Sequence, residues 1–176
     1  MTAMLQKTLG ICMVIAATSA GGFSAANKIR DQYEQLRYLQ KLVCLLRSEI
    51  QYARSYLGEA FLRIGSSARS PYKEWFLGMR EEMDGRRGGI FAQIWEEKAK
   101  EYLQDCGLSE EMLEKLAGYG SQMGIADVNM QVRTLDLWQE EIELTMEEMR
   151  EKMGTRIRLC HCLGVMSGIF IAVLLL

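Results

Sequence analysis

Apolar side chains recur at Leu36, Leu39, Val43, Leu46, Ile50, Ala53, Leu57, Ala60 and Ile64, in steps that alternate between three and four residues without a miss. Such a spacing follows one face of an α-helix and predicts a helix over residues 28–64, its seam packed against a second helix in coiled-coil fashion. Leu42 and Leu45 widen the seam toward a bundle core, while Arg37, Lys41, Arg47, Glu49, Arg54 and Arg63 form the solvated face. Gly65, Ser66, Ser67 and Ala68 end the run. A second helix opens at Ser70-Pro71, where serine caps and proline is preset for the first turn, and continues to Asp84 with Trp75, Phe76, Met79 and Met83 inward. A third covers residues 90–105, with Ile94, Trp95, Ala99, Tyr102 and Leu103 inward and Gly107 closing it. Ser109 opens a fourth, whose first-turn Glu110 and Glu111 suit the positive end of the helix dipole, and which ends near Gly120. Asp127 caps a fifth, carrying Val132, Leu135, Trp138, Ile142, Met146, Met149 and Met153 inward as far as Ile157.

No helix breaker stands between that last helix and residues 159–176, LCHCLGVMSGIFIAVLLL, which contain no acid, lysine or arginine. At about 1.5 Å per residue this stretch is about 27 Å long, close to the roughly 30 Å of a bilayer's hydrocarbon core, and it reads as a spanning helix. Arg150, Lys152, Arg156 and Arg158 crowd its N-terminal flank, which places the preceding domain in the cytoplasm. A helix continuous over residues 127–176 is about 75 Å long and couples the bundle to the bilayer as one rod. The N-terminal stretch is apolar more weakly, and two readings of it stand. Lys7 and the small residues Ala17 to Ala20 suit a cleavable signal peptide. A second span is the other reading, favoured because Lys28, Arg30, Arg37 and Lys41 outweigh Lys7 and so agree with the C-terminal orientation. Ala17, Gly21 and Ala25 lie four apart on one face and are expected to pack against the C-terminal span.

Composition fits this pattern: with a single proline and many Leu, Met, Glu, Gln, Lys and Arg, intrinsic propensity favours helix throughout. The predicted fold is all-α, an antiparallel bundle of about five helices flanked by N- and C-terminal transmembrane helices. Its divisions are residues 1–27 in the membrane, 28–158 as a cytoplasmic bundle and 159–176 in the membrane. A formal net charge of −2 offers no basic field for nucleic acid. The five cysteines, Cys12, Cys44, Cys106, Cys160 and Cys162, suggest no disulfide framework. Cys160, His161 and Cys162 are consecutive, so on one helix they point about 100° apart and do not converge on a metal. His161 is the sole histidine, which removes a Ser/His relay. No nucleophile beside a base and no carboxylate pair of specific spacing appears, so neither an enzyme nor a small-molecule substrate or cofactor is expected. The acidic run from Glu140 to Glu151 is a solvated helix face. Gly85-Arg86-Arg87-Gly88-Gly89 lacks the spacing of a phosphate cradle, but paired Arg86 and Arg87 offer forks to carboxylates on a protein partner.

Two stretches, QLRYLQKLVCLLRSEIQYARSYLGEAF at residues 35–61 and GIADVNMQ at residues 124–131, carry a resemblance. With both apolar ends, the chain resembles the stage III sporulation protein AB family of spore-forming bacteria over essentially its whole length. The positions that match are Leu46, Glu49, Ile50, Tyr52, Leu57, Glu59, Ala60, Gly124, Asp127 and Gln131; order and spacing carry the match rather than any single motif. Where the family often has a proline before the leucine matching Leu57, this chain has Tyr56, and the long helix is kept here. The resemblance implies membership of a channel-like complex between mother cell and forespore, in the mother-cell-derived membrane. It implies similarity to the cytoplasmic domain of the type II secretion platform protein of the F family. It also implies a scaffold role beside other proteins of that complex, including a companion ATPase, stage III sporulation protein AA. On the residues alone, a membrane-tethered helical signalling or adaptor protein unrelated to sporulation is the other reading.

Overall fold

The computed structural model describes residues 2–53, 56–85, 90–124 and 127–175, and all regular structure among them is helical. Six helices follow one another: α1 (Thr2–Gln51), α2 (Leu57–Ser67), α3 (Tyr72–Gly85), α4 (Phe91–Leu103), α5 (Glu110–Met123) and α6 (Val128–Leu175). They divide into two compact units, one of residues 1–33 with 148–176 and one of residues 34–147.

The second unit is the antiparallel bundle. Leu36, Leu39, Val43, Leu46 and Ile50 of α1 are all buried, as the alternating spacing requires. The expected continuation of that helix to Ile64 is wrong. Helix α1 ends at Gln51, Tyr56 is extended (φ −60°, ψ 147°), and α2 begins at Leu57. The three-four spacing is the same on both sides of the break and cannot report it. What decides is burial: turning back lets Ala60, Phe61 and Ile64 leave water together. Phe61 meets Phe76 at 5.6 Å and Trp95 at 6.2 Å between ring centroids, contacts that a straight continuation of α1 would forfeit.

Aromatic rings connect the bundle from helix to helix. Trp75 of α3 meets Trp95 of α4 edge-on at 4.9 Å, Trp95 meets Trp138 of α6 edge-on at 6.0 Å, and Tyr119 of α5 stacks on Trp138 at 5.1 Å. The Trp95 indole nitrogen donates to the Leu116 carbonyl at 2.7 Å, joining α4 to α5 inside the core. Arg47 of α1 pairs with Asp136 of α6. Lys115 bridges Glu111 and Glu141, each at 3.0 Å, and the Tyr119 hydroxyl donates to Glu141, joining α5 to α6. Two expected helix starts hold, with the Ser109 side chain accepting from Met112 N at 3.3 Å and Asp127 accepting from Asn129 N at 3.1 Å; α3 instead begins at Tyr72, with Pro71 rather than Ser70 at its cap position, its carbonyl accepting from Trp75 N at 3.1 Å. Gly107, at φ +92°, takes the left-handed conformation that closes the α4–α5 turn.

In the first unit the two terminal helical segments pack backbone to backbone. A Cβ at Gly22 would stand 2.6 Å from the Cys160 carbonyl oxygen, and one at Gly164 would stand 3.0 Å from Gly22 Cα. Phe23 meets the His161 ring at 4.5 Å. The small-residue stripe expected at Ala17, Gly21 and Ala25 is exposed. The packed stripe lies one residue later, with Thr18 and Gly22 against Gly164 and Gly168. Two small-residue stripes run side by side on this segment, and the glycine pair opposite selects between them. The C-terminal part of α6 has an 18-residue window of mean hydropathy 2.0 with 11% of it buried; by length and composition this helix suffices to cross a membrane.

Candidate functional site

The family-pattern positions come together at one end of the bundle, formed by the close of α1, the start of α2, the close of α5 and the start of α6. At the first junction Arg63 of α2 reaches Glu49 of α1 at 3.3 Å and Glu59 at 3.1 Å, so one guanidinium ties the start of α2 to the end of α1. Ile50 and Ala60 are fully buried on the two sides of this turn, and Leu57 is half-buried as the first residue of α2.

The second junction uses backbone-directed bonds. Gln131 Nε2 donates to the Met123 carbonyl at 2.9 Å, satisfying an acceptor at the end of α5 from within α6. Asp127 caps α6 as described, and Gly124 caps α5 with Phe91 Cβ 3.1 Å from where a side chain would begin. Glu49, Ile50, Ala60, Gly124, Asp127 and Gln131 therefore hold two helix turns in place at a shared end.

Between the end of α1 and the start of α6 lies a cleft of about 440 Å³ lined by Gln51, Val128, Asn129 and Val132. Beside it Tyr52 is 75% and Tyr56 87% exposed, and Val128 and Met130 are also open to solvent. Aromatic and apolar side chains exposed to water in this way suit a contact with another protein better than chemistry. Tyr56 stands where the family often has a proline, and its extended backbone shows that the chain turns there without one, against the expected long helix. Arg86 and Arg87 lie outside the described residues.

Ionisable groups elsewhere in the bundle serve packing. Burial pushes the Cys106 thiol up, which disfavours the reactive thiolate, and burial likewise raises the Tyr72 phenol, whose hydroxyl lies 3.3 Å from Gln35 Oε1. The Tyr119 hydroxyl, then Lys115, hold the Glu141 carboxyl below the usual range. Among the described residues no three His, Cys, Asp or Glu side chains group to hold a metal ion.

A family model described as stage III sporulation protein AB matches residues 7–176. The chain belongs to the stage III sporulation protein AB family. The family is named for a stage of sporulation, and membership gives this chain a sporulation role. Stage III sporulation protein AB of Bacillus subtilis (strain 168) is 24% identical over 173 residues, covering 98% of this chain and 100% of the relative. A solved structure of a stage III sporulation protein AB shares the fold, with a TM-score of 0.62 at 21% identity, over 70% of this chain and 96% of that one. For this family member, the matched span includes both packed turns and the apolar part of α6.

Proposed function

We propose that the chain is a membrane-anchored, non-catalytic platform component of a secretion-like complex between mother cell and forespore, and that its bundle docks a cytoplasmic ATPase. The observation that carries this reading is α6: one helix contributes Leu135, Trp138 and Ile142 to the bundle core and continues into a window apolar enough to anchor it. In this proposal residues 28–158 are cytoplasmic, residues 159–176 span the membrane, and residues 1–27 form a second span packed against it through Gly22, Gly164 and Gly168. Family membership favours this over a signalling or adaptor protein unrelated to sporulation.

The test is affinity capture of the companion ATPase, stage III sporulation protein AA, by the full chain in detergent. Capture that survives high dilution supports docking, and no capture at micromolar concentrations of both proteins refutes it. Arg86→Glu with Arg87→Glu locates the contact: a folded double variant with undiminished capture moves it away from that loop.

A further inference from the structure

On the outer face of the bundle a groove of about 800 Å³ runs between α4 and α5. Its existence follows from the residues on each side. Trp95 draws the two helices together at the core, its indole bonded to Leu116 O at 2.7 Å and its ring lying over Gly120. On the outer side Ala92 and Ala99 on α4 and Ala117 and Gly118 on α5 leave the space above them unfilled, with Leu113 as the one large apolar side chain of the lining and Gln93 and Gln104 beside it. A Cβ added at Gly118 would meet nothing within 4 Å. The lining extends along α4 from Ala92 to Gln104, about 18 Å at 1.5 Å per residue, or about three helical turns.

The rim has a sign. Glu96, Glu110 and Glu114 line it with one base, Lys100, which is paired to Glu96 at 2.6 Å. Three acids against one base leave the rim at a net −2, carried by Glu110 and Glu114.

We infer that this groove receives a basic amphipathic helix of a partner protein. An apolar ridge of the partner would sit over the alanines and Gly118, with lysines or arginines flanking it against Glu110 and Glu114. A trough about three turns long, with three alanines and Gly118 leaving room beside Leu113, accepts large side chains at helical spacing, as ridges fit grooves. Acid on the rim steers a basic segment in and repels an anionic lipid surface, which separates a protein partner from a membrane. The inference deepens the docking reading by giving the partner's chemistry, and it rests on that reading only in taking the bundle as a place where proteins meet.

The experiment uses the full chain in phosphatidylcholine nanodiscs and three labelled synthetic peptides of about fourteen residues: an amphipathic Leu/Lys helix, its Leu/Glu counterpart, and a scrambled Leu/Lys sequence. Fluorescence anisotropy reads binding. The amphipathic Leu/Lys helix should bind at least tenfold more tightly than either other peptide. Gly118→Trp, which fills the groove without changing charge, should weaken it at least tenfold, as should Glu110→Lys with Glu114→Lys. The same reversal on the exposed face of α6, Glu143→Lys with Glu147→Lys, should change it less than twofold. Circular dichroism confirms folding of each variant. The proposal is overturned if Gly118→Trp binds within twofold of the unmodified chain, if the α6 reversal weakens binding as much as the groove reversal, or if the scrambled peptide binds equally well. A chain that captures the companion ATPase yet ignores the Leu/Lys helix overturns the groove and leaves the docking reading standing. A chain that binds the peptide in the groove yet captures no ATPase does the reverse.

Discussion

Replacing Gly120 by alanine tests whether α4 and α5 meet as described. An added Cβ would lie 2.8 Å from Trp95 Cβ and closer still to its Cγ and Cδ1. Trp95 is fully buried, so its ring must move, and moving it strains the 2.7 Å bond to Leu116 O. Overpacking of this kind costs about 1–3 kcal/mol, and a buried indole N–H left without its acceptor costs about 1–3 kcal/mol more. Alanine's higher helix propensity returns about 1 kcal/mol. The net expectation is a loss of about 1–5 kcal/mol, or about 4–20 °C in Tm at about 4 °C per kcal/mol for a unit of this size. Tryptophan emission reads the transition directly, because Trp75, Trp95 and Trp138 are all in the bundle core. Gly118→Ala is the matched control on the same helix: its Cβ meets nothing within 4 Å, so propensity alone acts and stability should rise slightly. If Gly120→Ala melts at or above the temperature of Gly118→Ala, the close approach of Trp95 to α5 is wrong.

Other expectations follow from the same geometry. Glu141 is held below the usual carboxylate range in the folded chain, first by Tyr119 and then by Lys115, so its stabilisation is present above the unfolded pKa of about 4.3 and is lost as pH falls through the folded value. Melts of the chain and of Glu141→Gln should therefore differ at pH 7 and converge toward pH 3; a gap that widens on acidification contradicts the network. Gly107→Ala forces a side chain into φ +92° and should cost about 1–2 kcal/mol in denaturant titrations; an unchanged midpoint rejects the turn. Gly22→Leu places bulk against the Cys160 carbonyl and should separate the terminal helices, lowering cross-linking between cysteines introduced at Phe23 and His161, whose rings lie 4.5 Å apart, whereas Gly21→Leu should not. For topology, Cys44 is exposed and should react with an impermeant maleimide only when the cytoplasmic face is open; labelling of intact cells from outside reverses the proposed orientation.

The amino-acid sequence by itself determined that the chain is helical, which faces of α3, α4 and α6 are buried, and where capped helices begin at Ser109 and Asp127. These features are local: a periodic apolar face and an oxygen positioned to accept a backbone N–H act within a turn or two of the residue that carries them. The apolar window in α6 was equally legible, because hydropathy sums over adjacent residues. The family-pattern positions could be read as a set, but not as the two packed turns they form, since Gln131 and Met123, or Arg63 and Glu49, meet only once the chain has turned between two consecutive helices. The break after Gln51 was invisible to periodicity, because the apolar phase is the same before and after it. Only the gain from burying Phe61 against Phe76 and Trp95 chooses the turn. Tertiary structure likewise chose Thr18 and Gly22 over the neighbouring stripe at Ala17, Gly21 and Ala25. Both stripes allow a close approach, and the selection belongs to the glycines at 164 and 168 on the other helix, about 145 residues away in sequence.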